Sequence, residues 1–200
     1  MVSLVIVDTG CANLASVQYA FERLGIEPLV SDDPVTILSA ERVVLPGVGS
    51  APFAMRGIHA KGLGPVLQSL KQPVIGICLG MQLLYETLEE GGETVEGLGL
   101  IPGTIEKLQT GDLPAPHMGW NTLQTVKQDP LLNGISDGDY AYFVHSYAAF
   151  VSDSTLMTAE YGSAFTAITR SKNVWGCQFH PERSSKTGAL ILKNFLDINL

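Results

Sequence analysis

Three side chains in this sequence have the types and surroundings that nucleophilic catalysis requires: Cys78, His180 and Glu182. Cys78 stands in Gly76-Ile77-Cys78-Leu79-Gly80-Met81-Gln82, between two glycines, where the apolar run Pro73 to Ile77 meets Met81, Leu84, Tyr85 and Leu88 at helical spacing. A sharp turn from strand to helix lifts the side chain at its apex out of the sheet. It also crowds the backbone on either side, so glycine is needed at the flanking positions. The first turn of the following helix would offer free N–H groups and the positive end of its dipole to a thiolate. The competing reading is a small buried cysteine with glycine neighbours by chance, and only a base elsewhere in the chain decides against it.

His180 supplies the candidate base, in Trp175-Gly176-Cys177-Gln178-Phe179-His180-Pro181-Glu182. Extended residues two apart point to the same side, which would bring His180 and Glu182 together at a strand end. Pro181 keeps His180 out of the helical region and cannot itself continue a ladder. The carboxylate can then orient the imidazole and stabilise its charged form while the other nitrogen faces the thiol. His145 is a runner-up base but lacks an acid two residues away, and His59 and His117 read as surface or loop residues. Cys177 lies three residues before His180, so strand parity turns it into the core, and Cys11 reads as structural. The histidines are scattered and no Cys-x-x-Cys or His-Glu-x-x-His occurs, so neither metal nor cofactor is expected.

The elements that must hold these groups follow from the pattern. At 200 residues and 46% hydrophobic composition, the chain suits one domain spanning 1–200 with a substantial core. A net charge of −8 argues against nucleic acid or an anionic membrane as partner. Three cysteines without framework spacing, and an apolar Leu4 to Val7 run too short for a signal core, suit a reduced cytoplasmic setting. Strands are expected at 2–7, 28–30, 42–45 and 73–77, with helices between them: one capped by Asn13 and stopped by Gly25, one opened by Asp33 and Pro34, then 51–59 and 63–70. This alternation predicts an α/β fold with a mainly parallel central sheet and helices on both faces. Ligands then bind beyond the carboxyl ends of the strands, where Cys78 and the Pro46-Gly47-Val48-Gly49 loop fall. After Gly91-Gly92 come short strands separated by turns, expected as antiparallel additions at 103–108, 121–126, 140–150, 156–161, 165–169 and 174–179, before a final amphipathic helix.

Gly-Ile-Cys-Leu-Gly-Met-Gln, followed about a hundred residues later by Gln-Phe-His-Pro-Glu, resembles the class I, triad-type glutamine amidotransferases. Five further segments narrow the resemblance over nearly the full length. They are Asp8-Thr9-Gly10 with Asn13 to Val17, Leu45 to Gly49, His117-Met118-Gly119-Trp120-Asn121, Tyr142 to Tyr147, and His180-Pro181-Glu182-Arg183-Ser184. Together they look like the subfamily of glutaminase subunits of bacterial two-subunit imidazole glycerol phosphate synthases. That resemblance implies the three-layer amidotransferase fold, attack of Cys78 on the glutamine carboxamide to form a thioester, and proton delivery by His180 to the departing ammonia. It implies an oxyanion hole from the backbone of Leu79 and Val48, the latter in a switchable glycine loop, and a glutamine site around Gly49, Gln82, Glu90, Ser146 and Tyr147. It implies docking through Asn13, Met118, Trp120 and Asn121 onto a (β/α)8-barrel cyclase, forming a heterodimer that makes imidazole glycerol phosphate and the aminoimidazole carboxamide ribonucleotide in histidine biosynthesis.

Other readings remain open on residues alone. An amidotransferase for a different acceptor, such as an anthranilate or pyridoxal phosphate synthase subunit, would share the triad but not the 117–121 and 143–147 segments. A stand-alone cysteine hydrolase of γ-glutamyl amides would need no partner. A non-catalytic binding subunit sits badly with an intact Cys78, His180 and Glu182.

Overall fold

The computed structural model describes residues 3–10 and 13–200. Cys11 and the start of the first expected strand lie outside them. The first half alternates strand and helix: β1 (Val5–Val7), α1 (Leu14–Glu22), β2 (Leu29–Ser31), α2 (Pro34–Ser39), β3 (Val43–Gly47), α3 (Ala51–Ala60), α4 (Leu63–Ser69), β4 (Val74–Cys78) and α5 (Leu79–Leu83). The rest is mostly strand: β5 (Tyr85–Glu90), β6 (Glu93–Glu96), β7 (Ile101–Lys107), β8 (His117–Thr122), β9 (Gln124–Thr125), β10 (Tyr140–His145), β11 (Tyr147–Ala149), β12 (Thr155–Tyr161), β13 (Ser163–Ser171) and β14 (Val174–Cys177). Helix α6 (Ser185–Asp197) follows.

An eight-stranded sheet runs β2-β1-β3-β4-β14-β13-β12-β9. Its strands are parallel from β2 to β14 and antiparallel from β14 to β9. Side chains alternate between its faces, as the pleat requires. Ile6, Val44, Ile75 and Ile77 pack with Phe21 of α1 and with Ile191 and Phe195 of α6. Val5, Val7, Val43, Leu45 and Val74 pack on the other side with Ile37, Met55, Ile58 and Leu67. Helices therefore cover both faces, and the near-continuous apolar character of β1, β3 and β4 follows from burial on each. Asp33 opens α2 as expected, its carboxylate accepting the Thr36 N–H at 2.8 Å. No helix among the described residues is long and apolar enough to cross a membrane.

The helix expected after Cys78 stops after five residues. Leu84 and Tyr85 do not continue it, because the carbonyls a longer helix would use are taken from outside: Leu98 N–H donates to Leu83 O at 2.8 Å and Leu100 N–H to Leu84 O at 2.8 Å. Tyr85 and Leu88 instead belong to β5, which shifts register against β7 between Tyr85 and Thr87. That irregularity turns residues three apart toward one core and imitates helical spacing. The expected strand 140–150 is likewise two strands. β10 pairs with β8 and β11 with β7, so the chain changes sheets at Ser146.

Candidate active site

β4 carries Cys78 to the carboxyl edge of the sheet, where the residue adopts φ +52°, a conformation that costs a non-glycine side chain energy and is sustained by the close packing around it. A Cβ on Gly76 would fall 2.7 Å from Gly80 O, Met81 Cα and Leu84 Cδ1, so the elbow closes only on glycine. Cys78 Sγ lies 3.8 Å from Val144 O, and Gln178 Nε2 reaches the same sulfur at 4.0 Å. With α5 so short, few peptide dipoles line up behind Cys78.

His180 is the partner of Cys78 in the site. β14 ends at Cys177, and Pro181 keeps His180 extended at φ −95°, ψ 97° before the single 3₁₀ turn Pro181–Arg183. That turn, and not the extended spacing expected from sequence, swings Glu182 round until His180 Nδ1–H donates to its Oε1 at 2.8 Å. The loop is pinned to β10: His180 N–H donates to Tyr142 O at 3.0 Å, while Ser184 Oγ–H donates to His180 O at 2.7 Å and accepts the Tyr142 N–H at 2.9 Å. Burial disfavours charge on His180, but the hydrogen bonds to Cys78 and Glu182 and their charges outweigh it and raise its pKa to about 10. An imidazolium facing Cys78 is thus the stable form. Cys177 is fully buried, and burial first, then Glu182, pushes its thiol well above the ordinary range. It is inert.

A cleft of about 340 Å³ opens over Cys78 and gathers the residues expected around it. Val48, Gly49, Leu79, Gln82, Glu90, Ser146 and Tyr147 line it with Cys78 and His180, and Glu182 is hydrogen-bonded to His180. Gln82 Nε2 donates to Tyr147 O at 2.9 Å and to Gln178 Oε1 at 3.0 Å. Glu90 ends a strand, and its Oε2 accepts the Ala51 N–H at 2.7 Å where α3 begins. Gly49, at φ +95°, makes the turn between β3 and that helix. Sequence reasoning missed Gln178, Val144 and Pro116 as parts of the site. Gln178 was discoverable, since it lies two residues before His180, just past the end of β14; Val144 contributes only a carbonyl, which side-chain chemistry does not announce.

Two histidine readings change. His117 is not on the surface: it lies on β8 with 2% exposure, stacked between Phe143 and Tyr161. His145 is no rival base, because burial, with smaller effects from His117 and His180, pulls its pKa down to about 3 despite a hydrogen bond to Tyr147 O. His59 is exposed, as expected. Met118 and Trp120 are 63% and 52% exposed, and Asn13 is exposed ahead of α1. Asn13 occupies the N-cap position but its side chain makes no capping bond there. Asn121 is only partly exposed, and its amide nitrogen donates to Glu160 O at 2.8 Å.

The family profile described as Glutamine amidotransferase class-I matches residues 5–198. The chain belongs to that family. Among relatives of this amidotransferase chain are "Imidazole glycerol phosphate synthase subunit HisH 1" of Vibrio vulnificus strain YJ016, 51% identical over 199 residues, and the HisH subunit of Vibrio cholerae, 50% identical over 200 residues. Each alignment covers 98% of both chains. In structure the amidotransferase is similar to a crystal structure of a glutamine amidotransferase, with TM-score 0.74 and 17% identity over 96% of this chain and 97% of that one. It is also similar to the glutaminase domain of Trypanosoma brucei CTPS with bound acivicin, with TM-score 0.65 and 14% identity over 100% and 96%. At such identities the likeness establishes the fold, the expected α/β amidotransferase arrangement.

Proposed function

We propose that this chain is the glutaminase subunit of an imidazole glycerol phosphate synthase, acting as one amidotransferase domain over residues 1–200 in the cytoplasm. The observation that carries this is the meeting of Cys78 with the His180–Glu182 pair in a single cleft, within a chain about half identical to relatives named as that subunit. The Cys78 sulfur attacks the side-chain carbonyl carbon of glutamine. The C–N bond then breaks, His180 gives its proton to the leaving nitrogen, and a thioester remains. A water molecule, deprotonated by the now neutral His180, releases glutamate and restores the thiolate–imidazolium pair. Glu182 holds the imidazole in the productive tautomer throughout.

The tetrahedral intermediate carries an oxyanion that needs preorganised donors. Leu79 N–H sits at the first position of α5, where a helix has no internal acceptor for it. Val48 N–H is the second donor, in a glycine loop that turns to complete the hole when the partner is loaded. Gln82, Glu90, Gly49 and the Ser146-Tyr147 backbone hold the glutamine, with Glu90 on its α-amino group. Ammonia released into neutral water becomes ammonium and loses its nucleophilicity, so the cleft works docked to the synthase that consumes it. The partner is a (β/α)8-barrel cyclase, met through Asn13, Met118, Trp120 and Asn121 in a heterodimer, which uses the ammonia to make imidazole glycerol phosphate and the aminoimidazole carboxamide ribonucleotide.

Cys78→Ser tests the reading. The complex with the cyclase should lose glutamine-dependent synthesis by at least about a thousandfold and keep synthesis from added ammonium salts. Retained glutamine-dependent turnover would remove Cys78 from the mechanism.

A further inference from the structure

We infer that His117 and His145 are positioning residues, a buried relay of two neutral imidazoles that sets the Tyr147 carbonyl and Gln82 beside Cys78 and ties them to the Trp120 strand. The kinetic part of this inference rests on the glutaminase reading; the structural part does not.

The relay begins at Asn121. Its Oδ1 accepts the Thr122 N–H at 2.8 Å and its Nδ2 donates to Glu160 O at 2.8 Å, which fixes the amide orientation. The same Nδ2 stands 3.3 Å from His117 Nε2. An amide nitrogen only donates, so His117 Nε2 must accept, and the ring proton is on Nδ1. His117 Nδ1–H then donates to His145 Nε2 at 3.0 Å, and His145 Nδ1–H donates to Tyr147 O at 2.9 Å. Every proton in the chain is therefore assigned by its first member. Tyr147 O accepts a second hydrogen bond from Gln82, whose amide leads through Gln178 to the Cys78 sulfur.

Packing leaves the relay no alternative. The His117 ring is stacked on Tyr161 at 4.1 Å and Phe143 at 5.0 Å between centroids, nearly parallel to both, and cannot turn over. His145 borders the cleft on one side and His117 on the other, with His180 the charged group that acts on it. Among the described residues, no charged side chain compensates the burial of His117. Apolar side chains would fill this space at less cost, since two buried imidazoles require partners on all four nitrogens. What they add is a directed donor aimed at one carbonyl. Reversing the His145 tautomer would set a lone pair against Tyr147 O and push that wall of the cleft away from Gln82, and reversing His117 would set its Nδ1 lone pair against that of His145 Nε2. The Trp120 strand thereby reports on, and constrains, the wall that holds glutamine.

Nitrogen-15 spectra of the histidine-labelled full chain at neutral pH should show both rings neutral and protonated on Nδ1; an Nε2–H tautomer or an imidazolium at either position overturns the relay. Asn121→Asp replaces a donor by an acceptor, so His117 should become doubly protonated at neutral pH, and an unchanged His117 signal overturns the assigned direction. His117→Phe keeps the stacking and removes the donor. In complex with the cyclase its KM for glutamine should rise about tenfold, with kcat and the rate of Cys78 alkylation by iodoacetamide each changed less than about threefold. A folded His117→Phe with unchanged KM contradicts the positioning role. Absence of glutamine hydrolysis in the unmodified complex would instead defeat the glutaminase reading, and the spectra would still decide the relay.

Discussion

A Cβ placed on Gly80 would stand 1.8 Å from the carbonyl oxygen of Leu45, so the elbow helix and strand β3 touch backbone to backbone. The same closeness appears from the other side, where a Cβ on Gly47 would lie 2.7 Å from Gly80 N. Leu45 to Gly47 lead directly into the loop that carries Val48, so the nucleophile turn and the proposed oxyanion loop share one contact. Gly80→Ala must move one of them. We expect it to lower unfolding free energy by about 3 kcal/mol or more in urea denaturation, and to impair glutamine hydrolysis even under conditions where the variant remains folded. A variant of unchanged stability and activity would mean that the contact is looser than described.

Glu182 Oε1 lies 2.8 Å from His180 Nδ1, and its other oxygen has no hydrogen-bond partner among the described residues. Glu182→Gln preserves shape but removes the charge and can present an amide N–H to the imidazole, selecting the wrong tautomer. The expected loss in kcat is about 10²- to 10⁴-fold. The ionisation of His180 in the pH–rate profile should move toward neutrality, since one of the groups raising it is gone. A profile of unchanged shape would place the carboxylate outside the triad.

Glu90 has a structural and a proposed binding role, which two substitutions separate. Its Oε2 accepts the Ala51 N–H at 2.7 Å. Glu90→Gln retains an acceptor for that N–H, so stability should change by less than about 1 kcal/mol, while the KM for glutamine rises about tenfold through loss of a charge partner for the α-amino group. Glu90→Ala should show both the KM effect and a measurable fall in melting temperature. A Glu90→Gln variant with normal KM would leave Glu90 as a cap for α3 alone.

The buried histidines also set an acid limit. His117 titrates at about 4, through burial, and His145 at about 3, through burial first, whereas the unfolded chain takes up both protons near 6.5. Between these values the unfolded state binds more protons, so the contribution of these two histidines is full above pH 6.5 and falls as the pH drops toward 4. His180 has the opposite sign: its pKa is raised to about 10, so its contribution is present below pH 6.5 and is lost as the pH rises toward 10. Urea midpoints measured at pH 4.5 and 7 should differ less in His117→Phe than in the parent chain; equal differences would mean that His117 does not titrate as described.

Much of this was legible in the residues because it depends on local chemistry. Gly76 and Gly80 announce a close backbone approach, Pro181 holds His180 extended, and the apolar runs of β1, β3 and β4 report burial on both faces of a parallel sheet. What was not legible depends on pairing across the chain. The helical spacing through Leu88 arises from a register irregularity between β5 and β7, which no local window reveals. His117 looked like a loop residue because its burial is supplied by Phe143, Tyr161 and Phe165, all distant in sequence. Glu182 reaches His180 through a 3₁₀ turn and not through strand alternation, so the pairing was anticipated for a reason that the backbone does not follow.

The most direct test of the central claim is the rate of glutamine hydrolysis by the purified chain, measured alone and with the cyclase bearing its acceptor substrate. A conditional nucleophile predicts slow hydrolysis by the chain alone and a rise of about a hundredfold or more in the loaded complex, the scale expected when an oxyanion-hole donor is supplied. Fast hydrolysis by the chain alone, unaffected by the loaded cyclase, would contradict it.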